Sequence, residues 1–68
     1  MKPNGVAIRA LRTANRCGLR ELAEKTGLDR GYLSRLERGE RGASPNTVLL
    51  IAHALNVPLD AITKEGLR

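Results

Sequence analysis

Residues that begin or end helices divide this sequence into five short segments, and no segment alternates apolar and polar residues as a strand does. The five predicted helices, each with the residue that begins it, are 5–16 after Asn4, 19–26 after Gly18, 30–38 after Asp29, 45–55 after Ser44, and 59–62 after Pro58. Helices this short are unstable alone in water, so packing must hold them together. The sequence therefore predicts an all-α fold of five short helices.

The chain has 68 residues and one aromatic side chain, Tyr32, so its core must be aliphatic. The clearest buried face lies on the fourth helix, where Val48, Ile51, Ala52 and Leu55 follow the spacing i, i+3, i+4, i+7. The inward positions expected elsewhere are Val6 or Ala7, Ile8, Leu11 and Ala14 in the first helix, Leu22 and Ala23 in the second, and Leu33 and Leu36 in the third. This length suits one small domain, which we expect to span residues 1–68.

Several kinds of site are excluded by residue counts. The only cysteine, Cys17, can form no internal disulfide and no cysteine-based zinc site, so we expect it to be a small buried apolar residue. The only histidine, His53, has no second ligand at metal spacing. No nucleophile, base and orienting group occur together, and no membrane-length apolar run is present. We therefore expect a cytoplasmic protein that is not an enzyme and needs no metal, cofactor or membrane.

Positive charge is concentrated in the first part of the chain. Residues 1–41 hold ten Lys or Arg against five Asp or Glu, which accounts for the whole net charge of +5, and residues 42–68 are neutral. Nine of the twelve basic residues are arginine, whose rigid fork of donors matches phosphates and guanine edges. The distribution indicates a polyanionic partner, although a basic solubilising surface would have the same charge.

Residues 19–38 have the pattern of a helix-turn-helix. Ala23 is small enough for the point where two helices cross, and Gly27, four positions later, tolerates the positive φ of the turn. The apolar anchors are Leu22, Leu28, Leu33 and Leu36. A plain corner between two helices, with no nucleic acid, shares these features. Arg30 and Arg35 on the outer face favour the helix-turn-helix, because a purely structural helix has no need of them.

The sequence resembles the Cro and phage-repressor type of helix-turn-helix domain, the Xre family. The resemblance runs from about residue 8 to residue 62, and it is carried by the runs LSRLERGER at 33–41 and IAHALNV at 51–57. It implies a lambda-repressor-like fold whose third helix lies in the DNA major groove. It also implies a sequence-specific, repressor-like transcriptional regulator that binds double-stranded DNA at the nucleoid as a homodimer on a two-fold symmetric operator.

The third helix should present its first residues to the bases. The candidate base-contacting residues are Arg30, Gly31, Tyr32, Ser34 and Arg35. Tyr32 could equally be a residue at the edge of the core. The candidate phosphate contacts are Gly18, Leu19, Arg38, Arg41 and Gly42. Gly18 and Leu19 stand where the family often has Ser and Gln, so any contact there must come from backbone N–H groups.

Two further expectations concern structure and assembly. The resemblance implies that Arg12 and Glu37 form an ion pair joining the first helix to the end of the third; otherwise they are unrelated surface charges. Apolar residues surplus to the core often mark an interface. We assign Leu49, Leu50, His53 and Leu59 to a dimer interface on that basis.

Two other functions fit the same domain. It could be a protein-interaction module, such as an antitoxin or a recombination accessory factor. The short stretch after residue 62 disfavours an antitoxin whose tail folds on its toxin. The domain could also be one part of a longer regulator.

Overall fold

The computed structural model describes residues 2–64, and helices dominate that part of the chain. Four α-helices and one turn of 3-10 helix follow each other: α1 Gly5–Ala14, α2 Leu19–Thr26, α3 Arg30–Glu37, α4 Pro45–Leu55, and the 3-10 helix Leu59–Ile62. The predicted all-α class is confirmed. The predicted number of α-helices is one too many, because the last segment forms a single 3-10 turn.

Side-chain caps begin three of the four α-helices where the sequence predicts them. The side-chain oxygens of Asn4, Asp29 and Ser44 each accept a hydrogen bond from the backbone N–H three residues later. Gly27 and Asn56 end α2 and α4 in the left-handed conformation, with φ of 75° and 58°. These ends depend on local residues alone, and this explains why they could be predicted.

The first helix differs most from its prediction. It ends at Ala14 rather than near Arg16, because Arg16 adopts a positive φ of 54° and the N–H of Cys17 donates back to the carbonyl of Arg12. Its inner face also differs in part from the prediction. Ile8 is fully buried, whereas Ala14 is exposed and Val6 is 77% exposed. Of the two alternatives Val6 and Ala7, Ala7 is the half-buried one, and the prediction that Ala14 faces the core was wrong.

The fifth segment is held by the start of the chain rather than by its own length. Thr63, extended after the 3-10 helix, pairs with Pro3 in a single antiparallel bridge. The N–H of Asn4 donates to the carbonyl of Ile62 at 2.8 Å, and the N–H of Lys64 donates to the carbonyl of Lys2 at 2.9 Å. Four residues are too few for a stable α-helix, and these bonds compensate for the missing helical ones.

The helices surround one aliphatic core. Its buried members are Ile8, Cys17, Leu22, Leu33, Leu36, Val48, Ile51, Ala52, Leu55 and Ile62. Every helix contributes to it, and the expected burial of Cys17 is confirmed. No helix within residues 2–64 has the length and apolarity needed to cross a membrane. The core fixes α3 against α1 and α2, so the outer face of α3 is held in a defined orientation.

Candidate nucleic-acid interface

The second and third helices form a helix-turn-helix. The turn occupies residues 27–29: Gly27 reverses the chain, its N–H donates to the carbonyl of Ala23 at 2.8 Å, and Asp29 begins α3. Leu28 packs half-buried against the core between the two helices. The two helices are therefore joined rigidly, and α3 leaves the turn with its amino end at the surface.

The outer face of α3 is basic. Arg30 and Arg35 are exposed there, while Leu33 and Leu36 on the opposite face are almost fully buried. Gly31 and Ser34 lie half-buried on the outer side. The structure thus brings together four of the five candidate base-contacting residues on one helix face, with two arginine forks available for guanine edges.

Tyr32 is placed differently from those four residues. Its ring packs half-buried against the core, and its hydroxyl donates to the carbonyl of Gly42 at 3.0 Å. This bond ties α3 to the loop that follows it. Of the two interpretations that the sequence left open, the structure favours the residue at the edge of the core.

The candidate phosphate contacts lie at two places around α3. Gly18 begins α2 in an extended conformation, without a side-chain cap, and Leu19 beside it packs half-buried against the core. Any contact there comes from the free N–H groups of the first turn. Arg41 is exposed in the loop after α3, and Arg38 is also exposed but forms a 3.0 Å ion pair with Glu40. Arg38 would have to share its charge between Glu40 and a phosphate.

Arg12 of α1 meets Glu37 at the end of α3. The Arg12 Nε–Glu37 Oε2 distance is 2.7 Å and the Nη2–Oε1 distance is 3.1 Å, so the pair is bidentate. The remaining Nη1 donates to the carbonyl of Cys17 at 2.9 Å. The hydrogen bond with Glu37 raises the pKa of the Arg12 guanidinium, and the positive charge of Arg12 is secured. The side chains of Arg12 and Glu37 are 14% and 5% exposed, so the pair is largely buried.

Sequence reasoning missed Gly5, which fixes the same end of α3. A Cβ on Gly5 would lie less than 3.0 Å from the backbone carbonyl groups of Leu36 and Glu37. Only glycine lets the start of α1 approach the end of α3 this closely. The available signal was a glycine directly after a capping asparagine. The backbone that Gly5 touches lies about thirty residues later in the sequence, and nothing local identifies it as the partner.

The outer side of α4 carries an apolar groove. Asn46, Leu49, Leu50 and His53 line this α4 groove, whose volume is about 420 Å³. Leu49 and Leu50 are 55% and 47% exposed, which is high for leucine. Leu59, the fourth residue assigned to a dimer interface, instead packs half-buried against the core.

Residues 2–64 contain no cluster of three or more metal-ligating side chains.

Comparison with known proteins finds helix-turn-helix relatives. The family model HTH_3, described as Helix-turn-helix, matches residues 8–62. Control protein C.SmaI of Serratia marcescens is 36% identical over 62 residues, which are 90% of this chain and 74% of that protein. Four further curated relatives carry the names of HTH-type transcriptional regulators or repressors, and the chain spans 41% to 47% of their length.

Solved structures agree with these matches. The restriction-modification controller protein C.AhdI from Aeromonas hydrophila superposes with a TM-score of 0.81 at 38% identity, over 84% of this chain and 86% of that one. The master regulator for biofilm formation SinR, solved in complex with DNA, superposes with a TM-score of 0.77 at 32% identity, over 81% of this chain and 89% of that one.

Proposed function

Because the chain belongs to the helix-turn-helix family HTH_3, we propose that it is a transcriptional regulator of the repressor type that binds a specific double-stranded DNA sequence through α3. The observation that carries the proposal is the pair of exposed arginines, Arg30 and Arg35, on the outer face of a helix whose other face is buried. Regulators of this family are not enzymes. We place the proposed regulator in the cytoplasm, at the nucleoid, where its DNA site would lie.

In the proposed complex the outer face of α3 reads base edges in the major groove. Arg30 and Arg35 bind guanine O6 and N7, and Ser34 supplies a hydroxyl that can donate or accept. Gly31 contributes close approach rather than a side chain. Tyr32 contributes through the loop that it holds, because its hydroxyl already donates to Gly42.

The DNA backbone is contacted on both sides of α3. The N–H groups behind Gly18 and Leu19 face one phosphate, in the manner of a helix amino end that binds an anion. Arg38, Arg41 and the backbone of Gly42 face others beyond the carboxyl end of α3. The net charge of +5 supports this arrangement, since counterion release from DNA phosphates supplies much of the affinity.

A homodimer would bind a two-fold symmetric operator. The α4 groove is the proposed contact, because Leu49 and Leu50 are exposed beside His53 and do not pack into the core. Leu59 packs half-buried against the core, so at most its exposed part is available to the proposed contact. Half-sites centred about 10–10.5 bp apart would place both α3 helices on one side of the duplex.

Selection of bound sequences from random DNA tests the proposal. We expect a symmetric consensus that contains guanines at the positions of Arg30 and Arg35. The matched control is the Arg30→Ala, Arg35→Ala double variant, which keeps the core intact and should lose the guanine preference. If the unaltered protein enriched no sequence, specific DNA binding would have to be abandoned in favour of a protein-interaction module.

A further inference from the structure

The amino end of α3 holds an arrangement that the proposed function does not explain. Three residues on one side of the helix, Asp29, Gly31 and Arg35, converge on a single point in space. That point is the position where a Cβ on Gly31 would lie. It is 3.0 Å from Asp29 Oδ2 and 3.5 Å from Arg35 Nη1.

The geometry follows from the helix. Gly31 and Arg35 are four residues apart and therefore lie on the same face. Long side chains on a helix lean toward its amino end, so the Arg35 side chain extends back over Gly31 toward Asp29. With an alanine at position 31, the methyl group would occupy the space between the guanidinium and the carboxylate.

The carboxylate of Asp29 is held in place. Its Oδ2 accepts a hydrogen bond from the N–H of Tyr32 at 3.0 Å, and this is the bond that caps α3. Glu37 and Glu40, at the carboxyl end of α3, are already paired with Arg12 and Arg38. Glu24 of α2 lies beside Arg30 in one surface pocket. Asp29 is therefore the negative charge available to Arg35.

The attraction acts without a direct salt bridge. None of the ion pairs within 4.0 Å in the described part of the chain joins Asp29 to Arg35. Arg35 belongs to the last turn of α3, and the carboxylate of Asp29 attracts its guanidinium back toward the amino end of the helix. Arg35 is thus drawn toward one conformation while its fork remains exposed to a ligand.

We infer that Asp29 is a positioning residue for Arg35, and that the missing side chain at Gly31 is what lets the carboxylate and the guanidinium approach each other. The inference rests on the proposed function, because Arg35 is taken to read a base. An arginine already held in its reading conformation loses less freedom on binding, and its preference for one base is sharper. Asp29 thereby contributes to sequence specificity without contacting a base, and Gly31 contributes to it in addition to its close approach.

The variants that test this inference preserve the fold. Asparagine caps a helix as well as aspartate does, so Asp29→Asn removes the charge and keeps the cap. Gly31→Ala adds one methyl group 3.0 Å from the capping Asp29 Oδ2, so the better helix propensity of alanine is offset by displacement of the cap. Thermal melts establish that the variant stays folded. Asp60→Asn, on the 3-10 helix, makes the same change at an exposed position away from α3 and is the matched control.

The measurement is discrimination at one base pair. Arg35→Ala first identifies the position that Arg35 reads, and affinities are then compared for the best site and for the site changed at that position. We expect Asp29→Asn and Gly31→Ala each to lower this ratio roughly threefold or more, and Asp60→Asn to leave it unchanged. Asp29→Asn should at the same time bind all DNA more tightly, because it removes a negative charge near the phosphates.

A double-mutant cycle separates positioning from a general effect on the helix. In the Arg35→Ala background, neither Asp29→Asn nor Gly31→Ala should change discrimination further. Equal losses with and without Arg35 would overturn the inference, and so would an unchanged ratio in both single variants. If the unaltered protein discriminated at no position, the proposed function would fail first, and the inference would fall with it.

Discussion

Arg12 and Glu37 are 25 residues apart in sequence, yet Arg12 donates hydrogen bonds to both oxygens of the Glu37 carboxylate, at 2.7 and 3.1 Å. The pair joins the last turn of α1 to the last residue of α3. Together with the close approach of Gly5, it fixes the carboxyl end of the helix that carries Arg35. A rigid support of this kind matters because small displacements of a reading helix change which bases its side chains reach.

The first prediction concerns the stability of this ion pair. Glu37→Ala leaves the guanidinium of Arg12 largely buried without its partner, which should cost about 3–5 kcal/mol. A domain of this size has little more than about 5 kcal/mol in total. Glu40→Ala is the matched control: it breaks an ion pair whose side chains are 55% and 54% exposed, and should cost under about 0.5 kcal/mol. Thermal melts compare the two.

The double variant Arg12→Met, Glu37→Leu extends this test. Replacing both charges with apolar side chains removes the unpaired group, so part of the stability lost in Glu37→Ala should return. If Glu37→Ala and Glu40→Ala melted at the same temperature, both glutamates would be ordinary surface charges and the supporting role of the pair would be wrong.

A second prediction concerns Gly5. An alanine there must displace the backbone of Leu36 and Glu37, and overpacking of this kind costs about 1–3 kcal/mol. That cost should exceed the gain of up to about 1 kcal/mol from better helix propensity. Gly42→Ala, where a Cβ meets nothing within 4 Å, should change stability by under about 0.5 kcal/mol. Urea unfolding of the two variants should show a clear difference between their midpoints.

A third prediction concerns salt. If each subunit neutralises about four phosphates, a dimer covers about eight, and log affinity should fall against log salt with a slope near −7. Fluorescence anisotropy with labelled operator at increasing salt concentration measures the slope. Arg41→Ala removes one phosphate contact from each subunit. Each contact removed should make the slope less steep by about one. A slope near zero would contradict the electrostatic part of the interface.

A fourth prediction separates base readers from phosphate contacts. Arg35→Ala should cost about 1–3 kcal/mol on the best site and relax one base position in each half-site. Arg41→Ala should weaken all sequences about equally, because phosphates carry no sequence information. Affinities for a set of single-base operator variants give both patterns. An unchanged consensus in Arg35→Ala would show that another face of α3 reads the DNA.

A fifth prediction concerns the α4 groove. Leu49→Glu should raise the dimer dissociation constant at least about tenfold, since it buries a charge in the proposed contact. Val6→Glu is the matched control, because Val6 is an apolar residue 77% exposed on α1, outside that groove. Analytical ultracentrifugation, with and without operator, reads out the assembly. A chain that stays monomeric on a lone half-site would refute the two-fold arrangement.

The ends of most helices could be predicted from the sequence because caps act locally. Asn4, Asp29 and Ser44 each bond an N–H group three residues away, and Gly27 needs only its own backbone freedom. The exposed position of Arg35 follows in the same way from the helical spacing of buried leucines on α3. The inner face of α1 could not be predicted this reliably, because its apolar residues allowed two rotations and Val6 belongs to the exposed one.

Only the tertiary structure decided which contacts form between segments that are distant in sequence. The sequence holds Tyr32 and Gly42, but their 3.0 Å hydrogen bond depends on how the loop returns after α3. It holds Gly5, but the backbone of α3 that excludes a side chain there is brought close by core packing. Local residues fix the start and direction of each helix, whereas the relative placement of helices depends on the simultaneous fit of side chains from all of them.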